Sequence, residues 1–239
     1  METSALVVRA SVAVGAVITV MMLFDVAAIN GARRLPVWLV DIFNTLTDYG
    51  KSGWFLWPLG ALMLAIAATP SRLPPAMQLT LASLAMRAMF LFLAIGLPSL
   101  FTTIVKRWIG RARPFVGGSA DPFLFHPFGW KVEYASLPSG HAVTAFAAAT
   151  AFGMLWPRLR PLMWTYAIII CVSRVVLTAH HPSDVLAGAL VGILGVVLVR
   201  NYFAAHRILF GVSPSGMITV FPGPSKRRVK SVARAWLAD

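Results

Sequence analysis

Three short stretches of this 239-residue chain hold residue types that can grip and attack an anionic group. The stretch SRVVLTAHHPSD places Arg174, His180 and Asp184 in one polar junction between two long apolar runs. Lys106 and Arg113 stand in KRWIGRARP, just before Pro114, and Ser139, Gly140 and His141 stand in PSGH. Arginine forks match the oxygens of a phosphate, and a lysine adds a point charge. Ser139 and Gly140 open an expected helix, whose free N–H groups and positive end suit an anion. Glycine there lets the anion approach the backbone closely. Such a pocket favours the more charged transition state of a phosphoryl transfer. Asp184, four residues after His180, can accept a hydrogen bond from one imidazole nitrogen and leave the other as a nucleophile. His141 can give a proton to a leaving oxygen and then activate water. No carboxylate or histidine cluster resembles a metal site, so no metal or cofactor is expected.

The elements that must position these groups are apolar helices. The chain is 58% hydrophobic and only 12% charged, whereas soluble domains carry about 45–50% apolar and about 25% charged residues. A membrane span needs roughly 20 mostly apolar residues. Six runs approach this length: 7–29, 53–69, 83–104, 140–157, 161–178 and 184–203. Six alternating spans bring all three polar clusters to one side. The expectation is therefore an all-α, polytopic six-transmembrane-helix bundle with its site at the outer membrane interface. Residues 1–205 form this domain, and 206–239 are a basic tail.

The net charge of +13 sits between the apolar runs and in the tail. This pattern suits an anionic leaflet better than a nucleic acid. Both termini fall on the side of Arg9, Arg72, Arg158, Arg160, Arg200, Arg207 and the tail. Fewer positive residues lie opposite (Arg33, Arg34, Lys51, Arg107, Arg111 and Lys131). The bias places the termini in the cytoplasm, and the arginine- and alanine-rich composition suggests a bacterial inner membrane with the site facing the periplasm. The first run reads as a span rather than a removable signal. In the tail, Val229, Val232, Ala233 and Trp236 form one helical stripe among basic residues, which suits an interfacial helix or, equally, a disordered basic tail. LPVWLVDIFNTLTDYG is amphipathic and suits the outer membrane surface. Arg9 and Arg87 read as snorkelling charges, and Asp25 is either that or functional. Cys171 reads as buried packing. His181, His126, Tyr49, Lys51 and Lys131 read as loop residues that could at most touch a headgroup.

Taken in order, the motifs resemble the three-part signature of the type 2 phosphatidic acid phosphatase superfamily. They are Lys106 with Arg113-Pro114, Pro138-Ser139-Gly140-His141, and Ser173-Arg174 with His180 and Asp184, each with matching internal spacing. The resemblance implies a metal-independent hydrolase of lipid phosphates or diphosphates. It implies that His180 forms a phosphohistidine, Asp184 orients it and His141 protonates the leaving group. Lys106, Arg113, Ser139, Gly140 and Arg174 would hold the phosphate oxygens. Candidate substrates are phosphatidylglycerol phosphate, phosphatidate, undecaprenyl diphosphate and a lipid A phosphate. Soluble acid phosphatases and vanadium haloperoxidases use a similar pocket, but six spans argue against both. The alternative is a non-catalytic anion-binding protein or transporter. Binding alone needs cations but has no use for the trio His141, His180 and Asp184. The sequence does not indicate an oligomeric state.

Overall fold

The computed structural model describes residues 2–69 and 73–236. Arg72 lies outside the described residues, as do the side chains of Lys226, Ala233 and Trp236 in the tail. The helices are α1 (Glu2–Leu23), α2 (Asp25–Ala32), α3 (Val37–Thr47), α4 (Gly53–Ala67), α5 (Pro75–Ile109), α6 (Gly140–Leu155), α7 (Arg160–Val176) and α8 (Pro182–Ala205). A hairpin of β1 (Phe210–Val212) and β2 (Ile218–Val220) follows, then α9 (Lys226–Trp236). Pro75 and Pro182 stand in the first turns of α5 and α8, where a missing N–H costs nothing.

Three helices among the described residues are long and apolar enough to cross a membrane: Pro75–Ile109, Pro157–Val176 and Pro182–Ala205. A fourth arises if Val7–Leu23 and Asp25–Ala32 count as one span bent by 52°. The run 7–29 is thus not one straight helix: it breaks at Phe24, and Asp25 opens the second piece. The run 83–104 understates α5, which continues through the polar KRW segment to Ile109. Helix α6 has 16 residues, about 24 Å at 1.5 Å per residue, less than the roughly 30 Å hydrocarbon core.

The core lies where α5, α6 and α8 meet, around Phe90, Ile95, Ala147, Ala151, Val196 and Phe203. Small residues let α6 and α8 approach closely. A Cβ at Gly188 would stand 2.6 Å from the Ser139 carbonyl oxygen, and one at Gly192 would stand 2.5 Å from that of Val143. Lipid tails are as apolar as leucine, so close packing of small residues replaces the hydrophobic drive as the glue. The contact also joins the starts of both helices: Ser139 N–H donates to the Asp184 carbonyl at 3.0 Å.

The ends of α5 and α7 and the starts of α6 and α8 share one end of the bundle. The chain after α8 returns to the other end. Phe210 of the hairpin stacks edge-on against Phe90 at 4.9 Å, and Arg87 donates to the Phe221 carbonyl at 2.8 Å. Arg87 therefore anchors the tail hairpin rather than snorkelling alone. Helix α9 lies along α5 with Val232 buried and Arg227, Lys230 and Arg234 exposed. Cys171 is buried on α7.

Gly192→Val tests the α6–α8 contact. Overpacking against a backbone carbonyl is expected to destabilise the protein by about 1–3 kcal/mol, read as a lowered Tm in detergent. An unchanged Tm would contradict the packing account.

Candidate active site

Helix α5 ends at Gly110, whose φ of 65° is left-handed. A Cβ there would fall 1.9 Å from the His126 carbonyl oxygen, so the turn needs glycine. Arg111, Ala112 and Arg113 then leave the helix into a loop pinned by backbone bonds. Ala112 N–H donates to Leu124 at 2.9 Å, Arg113 N–H to Glu133 at 2.8 Å, and Ser136 N–H to Arg111 at 3.1 Å. The same loop thus carries Arg111, Arg113 and Ser136 to the starts of α6 and α8.

Asp184 sits in the first turn of α8 with no exposed surface. Its Oδ2 accepts from the Ser136 hydroxyl at 2.6 Å and from the His181 N–H at 2.9 Å. Its Oδ1 accepts from Arg111 Nη1 at 2.5 Å. His180 Nδ1 lies 3.7 Å from Asp184 Oδ2 and 3.3 Å from the Ser136 oxygen. Ser136 therefore stands between the two. It donates to the carboxylate and leaves its oxygen to accept the Nδ1 proton of His180. With Nδ1 protonated, Nε2 carries the free lone pair.

Arg111 is equally buried and uses every part of its fork. Nε donates to the Pro122 carbonyl at 2.9 Å, Nη1 also donates to the Ser183 oxygen at 2.7 Å, and Nη2 donates to Asp25 at 2.8 Å. Asp25 in turn accepts from the Ser183 N–H at 2.9 Å and from its hydroxyl at 2.5 Å. One guanidinium therefore holds two buried carboxylates, from α2 and from α8. An unpaired charge here would be costly, and removing one partner of a buried pair costs about 3–5 kcal/mol.

The other cations face the same region. Arg174 Nη1 donates to the Thr47 hydroxyl at 2.6 Å, which ties α7 to the end of α3. Arg113 lies in the electrostatic reach of Lys106, Arg174 and Asp184. Three buried atoms here have no partner: Arg113 Nε, Ser139 Oγ and Arg174 Nε. Ser139 is the N-cap of α6 but does not use its hydroxyl as a cap, and the helix's first N–H groups have no acceptor within the helix. An oxyanion would satisfy these donors together. His141, half-buried at the start of α6, feels the charges of Arg174, His180 and Lys51. Gly50 backs its ring so closely that a Cβ would stand 2.8 Å from His141 Cδ2.

Burial pushes the His180 imidazole down from 6.5 to about 4. Asp184 opposes that shift, and Arg174 and Arg113 add to it. The ring is thus neutral at neutral pH, as a nitrogen nucleophile must be. Burial also lowers the Arg113 guanidinium, with Asp184 acting against it.

The site gathers His180, Asp184, His141, Arg113, Arg174, Lys106 and Ser139-Gly140. Of the other loop candidates, His181 lies against Asp184 and Lys51 reaches His141 through its charge. His126 is exposed and packs on Tyr134 at 5.3 Å. Lys131 lies 3.8 Å from Glu133, and Tyr49 stacks on Trp54 at 5.5 Å. Lys51 pairs with Asp48 at 2.7 Å. His181 is no surface residue: it is fully buried, and its Nδ1 is 3.5 Å from Asp184 Oδ2. Sequence reasoning missed Arg111, Ser136, Ser183 and Thr47 and left Asp25 open. One signal was available, because an acid in an apolar run needs a buried cation to meet it. Among the described residues, no three His, Cys, Asp or Glu side chains could hold a metal ion.

Residues 87–208 match the family model of the PAP2 superfamily. The chain is 34% identical over 206 residues to a lipid A 1-phosphatase of Rhizobium johnstonii, covering 86% of this chain and 84% of that protein. Over 95 residues it is 36% identical to the putative undecaprenyl-diphosphatase YbjG of Escherichia coli, covering 39% of this chain and 45% of that one. In structure it resembles a transmembrane PAP2-type phosphatidylglycerolphosphate phosphatase from Bacillus subtilis. That match has a TM-score of 0.54 and 22% identity, over 77% of this chain and 85% of the other.

The electrostatics of the site give a pH prediction. A histidine with a lowered pKa gains its proton only in acid, so His180 should stay neutral at about pH 5.5, where a free imidazole is mostly charged. Histidine-labelled NMR spectra, assigned by the signal lost in His180→Gln, should show this. A midpoint near the ordinary histidine value would contradict it.

Proposed function

The chain belongs to the PAP2 superfamily, and we propose that it is a membrane-integral phosphatase that removes the 1-phosphate of lipid A through a phosphohistidine on His180. The observation that carries this reading is the set of unpartnered donors, Arg113 Nε, Ser139 Oγ and Arg174 Nε, on residues grouped near a buried imidazole backed by a carboxylate. A binding protein has use for the donors but none for a histidine held in one tautomer.

In the proposed reaction, Lys106, Arg113, Arg174, the Ser139 hydroxyl and the N–H of Gly140 hold the phosphate oxygens. His180 Nε2 attacks phosphorus as the P–O bond to the lipid breaks. The negative charge of the bound phosphate draws a proton onto His141, which gives it to the departing oxygen. The positive charge that develops on His180 is met at Nδ1 by Ser136 and Asp184. His141 then takes a proton from water, the water oxygen attacks phosphorus, and the N–P bond breaks. Inorganic phosphate leaves with His180 neutral again. The cations stabilise the charge on the equatorial oxygens in both steps, and no step draws on a metal.

The choice of lipid is supported by the Rhizobium relative, a lipid A 1-phosphatase that matches most of both chains, whereas the undecaprenyl-diphosphatase matches less than half of either. The six passes would be α1–α2, α4, α5, α6, α7 and α8, with the short α6 lodged inside the bundle. We place the site at the periplasmic face of an inner membrane and both termini in the cytoplasm. Exposed Trp54 and Trp108 near the site suit a membrane–water interface. Residues 206–239 then form the cytoplasmic segment, with exposed Arg227, Lys230 and Arg234 facing an anionic leaflet.

Phosphate release by purified protein in detergent with excess EDTA tests the reading. The panel holds lipid A, phosphatidylglycerol phosphate, phosphatidate and undecaprenyl diphosphate. Release from lipid A should fall by at least about a thousandfold in His180→Ala. Full activity in that variant, or a strict need for a divalent ion, would overturn the mechanism. Release from another lipid alone would overturn the substrate.

A further inference from the structure

We propose that Asp25 is a positioning residue for this reaction: by sharing Arg111 with Asp184, it leaves Asp184 the net negative charge that steadies His180. The inference rests on the phosphohistidine reading above and deepens it. Asp25 lies outside the stretch 87–208 matched by the family model, so its place in the site comes from the geometry alone. The break at Phe24 swings α2 over the junction end of the bundle, and Asp25 is the first residue after the break. Its side chain has no exposed surface, and its hydrogen bonds run to Arg111, which also holds Asp184, and to Ser183, the residue before Asp184. The donors are Arg111 Nη2 at 2.8 Å, the Ser183 N–H at 2.9 Å and the Ser183 hydroxyl at 2.5 Å.

The charges decide what this does. Arg111 and Asp184 alone would make a neutral buried pair, with the carboxylate's charge committed to the guanidinium. A second carboxylate on the same guanidinium leaves the cluster one negative charge in excess. That excess acts at Asp184 Oδ2, the atom bonded to Ser136 and 3.7 Å from His180 Nδ1. When His180 attacks phosphorus its ring becomes cationic, so the excess charge stabilises the transition state more than the ground state. Asp25 touches neither the ring nor the phosphate site. It acts through Arg111 and through Ser183, which neighbours Asp184 in the first turn of α8. The other groups whose charges reach His180 are Arg174 from α7, Arg113 from the loop after α5 and His141 from α6.

Asp25→Asn separates charge from shape, because the amide keeps the size and an acceptor oxygen. In that variant kcat should fall about tenfold, with KM changed by less than about twofold. The NMR midpoint of His180 should move to lower pH by about half a unit or more, since a negative charge near it is lost. The double variant Asp25→Asn/Arg111→Gln removes one charge of each sign and restores the native excess. Its His180 midpoint should return to within about 0.3 units of wild type, while Asp25→Asn alone keeps Arg111 and Asp184 as a matched buried pair. A wild-type kcat in folded Asp25→Asn would overturn the proposal. So would an unmoved His180 midpoint, or a double variant shifted as far as the single one. A wild-type protein that releases no phosphate from any lipid would defeat the functional reading instead, and the midpoints would still decide the role of Asp25.

Discussion

Arg111 is a charged side chain with no contact with solvent, and two carboxylates from distant parts of the chain hold it in place. Such a group is tolerable only if every partner is present and well aligned. The requirement fixes the site. Asp25 must arrive from α2, which requires the break in the first apolar run. Asp184 must arrive from the first turn of α8, which requires that turn to lie against the start of α6. The loop after α5 must fold back so that Arg111 can also reach the Pro122 carbonyl. One buried cation thus coordinates the first helix pair, the long loop and the last helix of the bundle.

The bundle meets the requirement chiefly by close packing, with one hydroxyl pair, Ser99 and Thr144, joining α5 to α6. Gly188 and Gly192 let α8 lie nearly backbone to backbone on α6, and the Ser139 N–H bond to Asp184 finishes the contact at the polar end. This contact sets the distance between the two histidines that the proposed mechanism uses, because His141 opens α6 and His180 precedes α8. The chemistry sits where helices end, since there the backbone offers free N–H groups and polar side chains can reach water. At the far end, Arg87 and Phe210 pin the returning chain to α5, so the end away from the site is also closed.

The sequence exposed those parts of the site whose geometry is local. His180 and Asp184 share one junction, Ser139 to His141 form one helix start, and Lys106 and Arg113 flank one helix end. Each pattern has a physical meaning over a few residues. The partners that complete the site are long-range: Arg111 and Asp184 are 73 residues apart, Arg111 and Asp25 are 86, and Thr47 and Arg174 are 127. No local period marks such pairs, so Arg111 read as one more basic loop residue, and Ser136 and Thr47 went unnoticed. The apolar runs located the helices but blurred their ends. Amphipathic turns such as KRW extend α5 beyond its apolar stretch, and the first run breaks at Phe24, where hydropathy alone sees continuity. His181 looked like a loop residue because it follows His180 and precedes Pro182, yet as the N-cap of α8 it is buried behind Asp184.

The central claim of the mechanism is that phosphate passes through His180 before it meets water. The stereochemical course at phosphorus tests this most directly, using a phosphorothioate analogue of the substrate made chiral with oxygen isotopes and hydrolysed in isotopically labelled water, so that the released thiophosphate is itself chiral. Two successive in-line displacements, the first by His180 and the second by water, predict overall retention of configuration. Overall inversion would mean that water attacks the lipid phosphate directly, and the account of His180 as the nucleophile would be wrong.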